Sequence, residues 1–155
     1  MIDVSVLGYC WGEELMGGYF TFHRNFLKFI GHDLSVTHLC LKFNDWVVHP
    51  FSHGINKKEI KWIKEKVATR CFGNPCQEIY LGQTNYLLSD IISYANEREI
   101  NTWSTYAYLY TIGYYKNKKD CVSFTKEMLD FCLGLGPFKE QFPSYLLKEI
   151  SNHGY

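Results

Sequence analysis

No apolar run in this chain approaches the roughly 18 residues that a membrane-crossing helix needs. The start, Met1-Ile2-Asp3-Val4, also lacks the basic region and long apolar stretch of a signal peptide. A cytoplasmic protein without a transmembrane segment is therefore expected. Its six cysteines, Cys10, Cys40, Cys71, Cys76, Cys121 and Cys132, should then be mostly reduced. Charge of one sign is missing too. Sixteen basic residues cancel sixteen acidic ones, so nothing global points to nucleic acid or to an acidic membrane surface. With only four prolines, and no repeat, low-complexity tract or Pro/Ser-rich linker, nothing divides the chain. Residues 1–155 read as one domain.

What the chain does hold is apolar and aromatic. Hydrophobic residues make up 46% and charged residues 21%, which excludes disorder. Aromatics reach 17%, enough for an aromatic-rich core, with a groove for sugars or acyl chains as the other use.

The patterning alternates helix and strand. Phe22, Phe26, Phe29 and Ile30 repeat at helical spacing over Tyr19 to Ile30, and Gly31 ends the run. Leu34 to Phe43 reads as a strand, Asn44-Asp45 as a tight turn, and Trp46 to His49 as the returning strand. Asn56 as N-cap with Glu59 three residues later predicts a helix, turning Ile60, Ile63 and Val67 inward and ending near Arg70. Gln77 to Leu81 predicts a short strand, and Asn85 to Glu97 a helix. Trp103 to Tyr115 leans helical. Asp120 caps a helix from Cys121 to Leu133, closed by Gly134 and Gly136, and Pro143 opens a last short helix. The expected class is α+β, a small antiparallel sheet with helices packed on one side.

Two stretches carry candidate chemistry. Cys121 falls in the first turn of its helix, where free backbone N–H groups and the helix dipole stabilise a thiolate and can form an oxyanion hole. Lys116, Lys118 and Lys119 add to that effect and Asp120 opposes it. The plainer reading of Cys121 is a buried thiol on an apolar helix face. His38 lies in the first strand of the hairpin, where a lone histidine is commonly structural. If Asn44-Asp45 is the two-residue turn, Phe43 pairs with Trp46 and Cys40 with His49. His49 then stands on the face of His38, one diagonal away and about 7–8 Å between backbones. It could fix the tautomer of His38 as the third member of a triad does, whereas a slip of one residue would turn it to the other face. Glu78 is the reserve for that third position.

Thr37-His38-Leu39-Cys40-Leu41-Lys42, the turn, and Trp46-Val47-Val48-His49 resemble the two histidine strands of the lecithin:retinol acyltransferase-like group. Asp120-Cys121-Val122-Ser123-Phe124 resembles that group's Asn-Cys-Glu-His-Phe motif, with Asp120 in place of Asn and without its Glu-His. Both belong with the circularly permuted NlpC-type papain-like superfamily, in which the histidine strand precedes the cysteine helix. Small phage and bacterial members are also similar, so a phage-encoded protein acting in the host cell or virion is one implied origin. The resemblance spans roughly residues 20–50 and 110–148.

It implies a permuted papain-like fold and acyl transfer without a cofactor. His38 would deprotonate Cys121, the thiolate would attack an amide or ester carbonyl, and water or an amine would resolve the thioester. The implied substrates are amides first, such as cell-wall peptides, and then esters or lipids.

Three other readings stand beside it. His49, His53, Cys71 and Cys76 could form a tetrahedral zinc site. A non-catalytic binding protein, for example a virus-type partner-binding or virion component, could use Trp103 to Tyr110 as its contact surface. The five lysines between Lys57 and Lys66, with Trp62 among them, read as a solvated face laced with ion pairs, and nucleic acid is not expected.

Overall fold

Val4 to Tyr9 is an unbroken buried run, Val-Ser-Val-Leu-Gly-Tyr, and it forms the strand around which the sheet is laid. In a computed structural model, described for residues 1–10, 28–52, 58–98 and 120–153, five strands form one antiparallel sheet. They are β1 (Ile2–Tyr9), β2 (His38–Phe43), β3 (Trp46–Ser52), β4 (Lys58–Lys64) and β5 (Gln77–Thr84), in the order β4-β3-β2-β1-β5. The described helices are α1 (Glu65–Phe72), α2 (Leu88–Asn96), α3 (Cys121–Leu133) and α4 (Pro143–Asn152). The coarse expectation of an α+β protein built on an antiparallel sheet holds. The predicted helix over Tyr19 to Ile30 lies largely outside the described residues, and that over Trp103 to Tyr115 wholly so.

The β2–β3 hairpin forms as its sequence predicts, with Phe43 opposite Trp46, Lys42 opposite Val47 and Leu41 opposite Val48. Asn44 takes a left-handed conformation at φ 55°, which its short polar side chain tolerates. It is pinned to β1 in both directions: its N–H donates to Asp3 O at 3.0 Å, and its Oδ1 accepts the Asp3 N–H at 2.9 Å. The strand starts later than Leu34, at His38. Before it, Thr37 N–H already donates to Tyr9 O at 2.8 Å.

Lys58–Lys64 is a strand, not the start of a helix. Ile60 and Trp62 fit a period of two as well as Ile60 and Ile63 fit a helical one, and pairing along β3 from Ser52 to Trp46 decides between them. The helix begins only at Glu65, where its N–H donates to Asp45 O at 2.8 Å. Ala68 then turns inward, and Val67 is exposed.

Helices cover both faces of the sheet, which corrects the expected one-sided packing. Leu39, Leu41, Phe43, Val4 and Val6 face α2, α3 and α4 in the main core. Leu7, Tyr9, Cys40 and Val47 face α1 through Ala68 and Phe72. Each fully buried Leu, Ile or Phe in these layers contributes about 1.5–3 kcal/mol relative to exposure. Gly8 lets α4 lie close on β1, because a Cβ there would stand 2.9 Å from Leu147 Cδ2 and 3.1 Å from Val36 Cγ1. Among the described residues no helix is long and apolar enough to cross a membrane.

Candidate active site

The hairpin register builds a buried histidine pair. His38 opens β2 and His49 lies within β3, both on the face that α1 covers. Nδ1 of His49 stands 3.4 Å from Nε2 of His38, and the rings stack at 11° with centroids 5.6 Å apart. The contact is long for a hydrogen bond, and which nitrogen donates depends on the tautomers. The His38–His49 juxtaposition is what the sequence predicts from the turn.

The walls of this site come from elements that sequence reasoning did not connect with it. The Tyr9 ring lies 6.3 Å from His38 and 5.5 Å from His49, and Phe72 of α1 lies 4.8 Å from His49. Tyr9 was findable only from the apolar run of β1, and nothing local marks Phe72. Enclosure leaves His38 6% exposed and His49 fully buried. Burial lowers the His49 imidazole to about 4. It holds His38 well below the usual histidine value, with the neighbouring His49 adding to the effect. Both rings are therefore neutral at pH 7, and burial disfavours a proton on either.

β2 and β3 part company here. Their ladder ends at Leu41 and Val48, while β3 continues along β4 to Ser52. His38, Cys40 and His49 sit where the two strands diverge. Cys40 shares a hydrogen bond with the Tyr9 side chain, and burial pushes its thiol well above the ordinary range, so it is no nucleophile.

Cys121 is the first residue of α3 and is partly buried against the main core. A capping box holds it in place. Asp120 Oδ1 accepts the N–H groups of Val122 and Ser123 at 3.0 and 3.1 Å, and Ser123 Oγ accepts the Asp120 N–H at 2.8 Å. Gly134 closes the helix in the left-handed region, at φ 64°. This element forms with the bounds its sequence predicts.

Alternation along β2 sets the face that packs on α3 apart from the face that carries His38. Leu39 and Leu41 point toward α3, so His38 and Cys40 point away from it. The sheet thus lies between α3 and the imidazole rings.

The other candidates separate. Glu78 is ion-paired with Lys42, which also reaches Glu65 at 3.6 Å, so it does not serve His38. The three described members of the zinc set, His49, Cys71 and Cys76, do not come together. His49 is enclosed by Tyr9 and Phe72, Cys71 is exposed on α1, and the Cys76 thiol donates to Gly8 O at 3.2 Å. His53 and the Trp103 to Tyr110 surface lie outside the described residues. Among the described residues no group of three His, Cys, Asp or Glu could hold a metal ion. A cavity of about 270 Å³ opens between α1 and the sheet, lined by Tyr9, Val47, Glu65, Ala68 and Glu78 among others.

No known protein family, curated protein or solved structure matches the chain.

Proposed function

We propose that this protein is a cysteine-dependent hydrolase or acyl transferase acting on an amide, or on an ester, with Cys121 as nucleophile and His38, backed by His49, as base. The permuted papain-like architecture, in which the histidine strand precedes the cysteine helix, is part of the same proposal. The observation that carries it is the buried imidazole pair, with Nδ1 of His49 3.4 Å from Nε2 of His38, in a chain whose capped helix α3 begins at Cys121. A neutral His38 would take the thiol proton, the thiolate would attack the carbonyl carbon, and the leaving amine or alcohol would depart with that proton. A thioester would remain, to be opened by water or an amine that His38 activates. Backbone N–H groups at the start of α3 would support the oxyanion. The reaction requires the sulfur of Cys121 and the ring of His38 to come within hydrogen-bond reach. Substrate binding has to supply that closure.

One observation favours a second reading. Because α3 and the imidazoles lie on opposite faces, the chain could bind a partner without performing chemistry, as a virion or partner-binding component does.

The pH dependence of iodoacetamide labelling at Cys121, followed by mass spectrometry in the parent and in His38→Ala, separates the two. Rapid labelling of Cys121 at pH 6–7 that is lost or moved to higher pH in the variant is the result expected of the enzyme. Labelling no faster than at Cys71, and unmoved by the substitution, leaves the binding protein.

A further inference from the structure

Two exposed thiols converge where β1 ends. Cys10 follows the last residue of β1 and Cys76 precedes the first residue of β5. The backbone ties the two ends together: the Cys76 N–H donates to Gly8 O at 2.8 Å, beside the Gly8–Gln77 ladder pair. The sulfurs lie against consecutive carbonyls of the segment that leads into β2. Cys10 Sγ is 3.8 Å from Leu34 O, and Cys76 Sγ is 3.8 Å from Ser35 O and 3.2 Å from Gly8 O. The Cys10 backbone N–H is directed at the Cys76 sulfur, and the nearby Cys10 thiol adds to the burial that raises the Cys76 thiol. Continued one step past Gly8–Gln77, the register brings Cys76 opposite Tyr9, so Cys10 is the next residue along from its partner position.

We infer that Cys10 and Cys76 are a redox-responsive dithiol that closes to a disulfide on reaction with a low-molecular-weight disulfide such as oxidised glutathione. The chemistry balances as two exchanges. The Cys10 thiolate attacks one sulfur of the oxidant, forming a mixed disulfide and releasing one thiolate. The Cys76 thiolate then attacks the Cys10 sulfur, closes the Cys10–Cys76 bond and releases the second thiolate. Two protein protons are lost to solvent, and the oxidant gains the electron pair. Cys10 makes the first attack because its sulfur has only one long contact. Cys76 resolves, since burial pushes its thiol up and its carbonyl partners hold the S–H. The closed bond would clamp the ends of β1 and β5 beneath the Leu34–Ser35 backbone.

The test treats the reduced full-length chain with oxidised glutathione, blocks remaining thiols by alkylation, and maps linkages by non-reducing digestion and mass spectrometry. Cys71→Ser and Cys76→Ser serve as paired variants, because residues 71 and 76 share a tryptic peptide. An intramolecular Cys10 link that persists in Cys71→Ser and disappears in Cys76→Ser is the expected result. Stable glutathione adducts without closure overturn the inference. So does a Cys10 link that survives in Cys76→Ser, or one formed only between two chains. Fragment ions from the parent decide between Cys71 and Cys76 even if a variant fails to fold.

Discussion

His49 cannot be protonated in place without putting charge among Tyr9, Phe72 and His38. Burial lowers its folded value to about 4, against an ordinary value of 6.5. The unfolded chain therefore binds the proton first as pH falls, and the folded state loses ground between about 6.5 and 4. The full effect is on the order of 3 kcal/mol, present above the unfolded value and absent below the folded one. His38 is shifted in the same direction and adds to it. Urea midpoints measured across that range should drop with acidification, and the drop should be shallower in His49→Phe, which keeps an aromatic ring but does not titrate. A flat profile in the parent would mean that the pair is not enclosed as described. At this scale the sequence was informative about the pair, because a two-residue turn dictates register. It was silent about the face of Cys121, because alternation along β2 assigns each side chain a face and no motif records which face α3 will choose.

α3 shows an element written in full by its local sequence: cap, box, apolar face and closing glycine all lie within Asp120 to Gly134. Asp120→Ala removes the acceptor of two N–H groups and should lower stability by about 0.5–2 kcal/mol, with Asp120→Asn costing less because its side-chain oxygen still accepts. Equal urea midpoints for both variants and the parent would show that packing alone holds this helix start. Other elements were not legible locally. Lys58–Lys64 carries apolar residues compatible with either period, and only β3 beside it decides. β1 gives no alternation to read beyond Ser5, because Val6, Leu7 and Tyr9 are all buried and a strand covered on both faces has no polar side. It was overlooked for that reason, although it is the strand that joins β2 to β5.

Across the whole molecule, the composition supports the α+β class and a mixed core, but not the distribution of helices. α1 occupies the second face because Glu65 is anchored at the β2–β3 turn, a link between residues 45 and 65 that no local pattern announces. The same long-range logic makes the N-terminal strand indispensable. Deleting residues 1–9 would leave β5 without a neighbour and β2 with β3 alone, and would expose Leu39 and Cys40. The truncated chain should lose its cooperative unfolding transition by circular dichroism. Retention of that transition would show that β1 is peripheral.

The placement of β1 also sets an order on biosynthesis. It leaves the ribosome ahead of both its partners, residues 38–43 on one side and 77–84 on the other. Until residue 84 has emerged, a nascent chain carries an apolar strand with at least one open hydrogen-bonding edge. Such non-local pairings form late and slowly. The newborn chain thus has its greatest need of chaperone shelter in the interval between the emergence of β1 and that of β5, before its own sheet can cover the earlier strand.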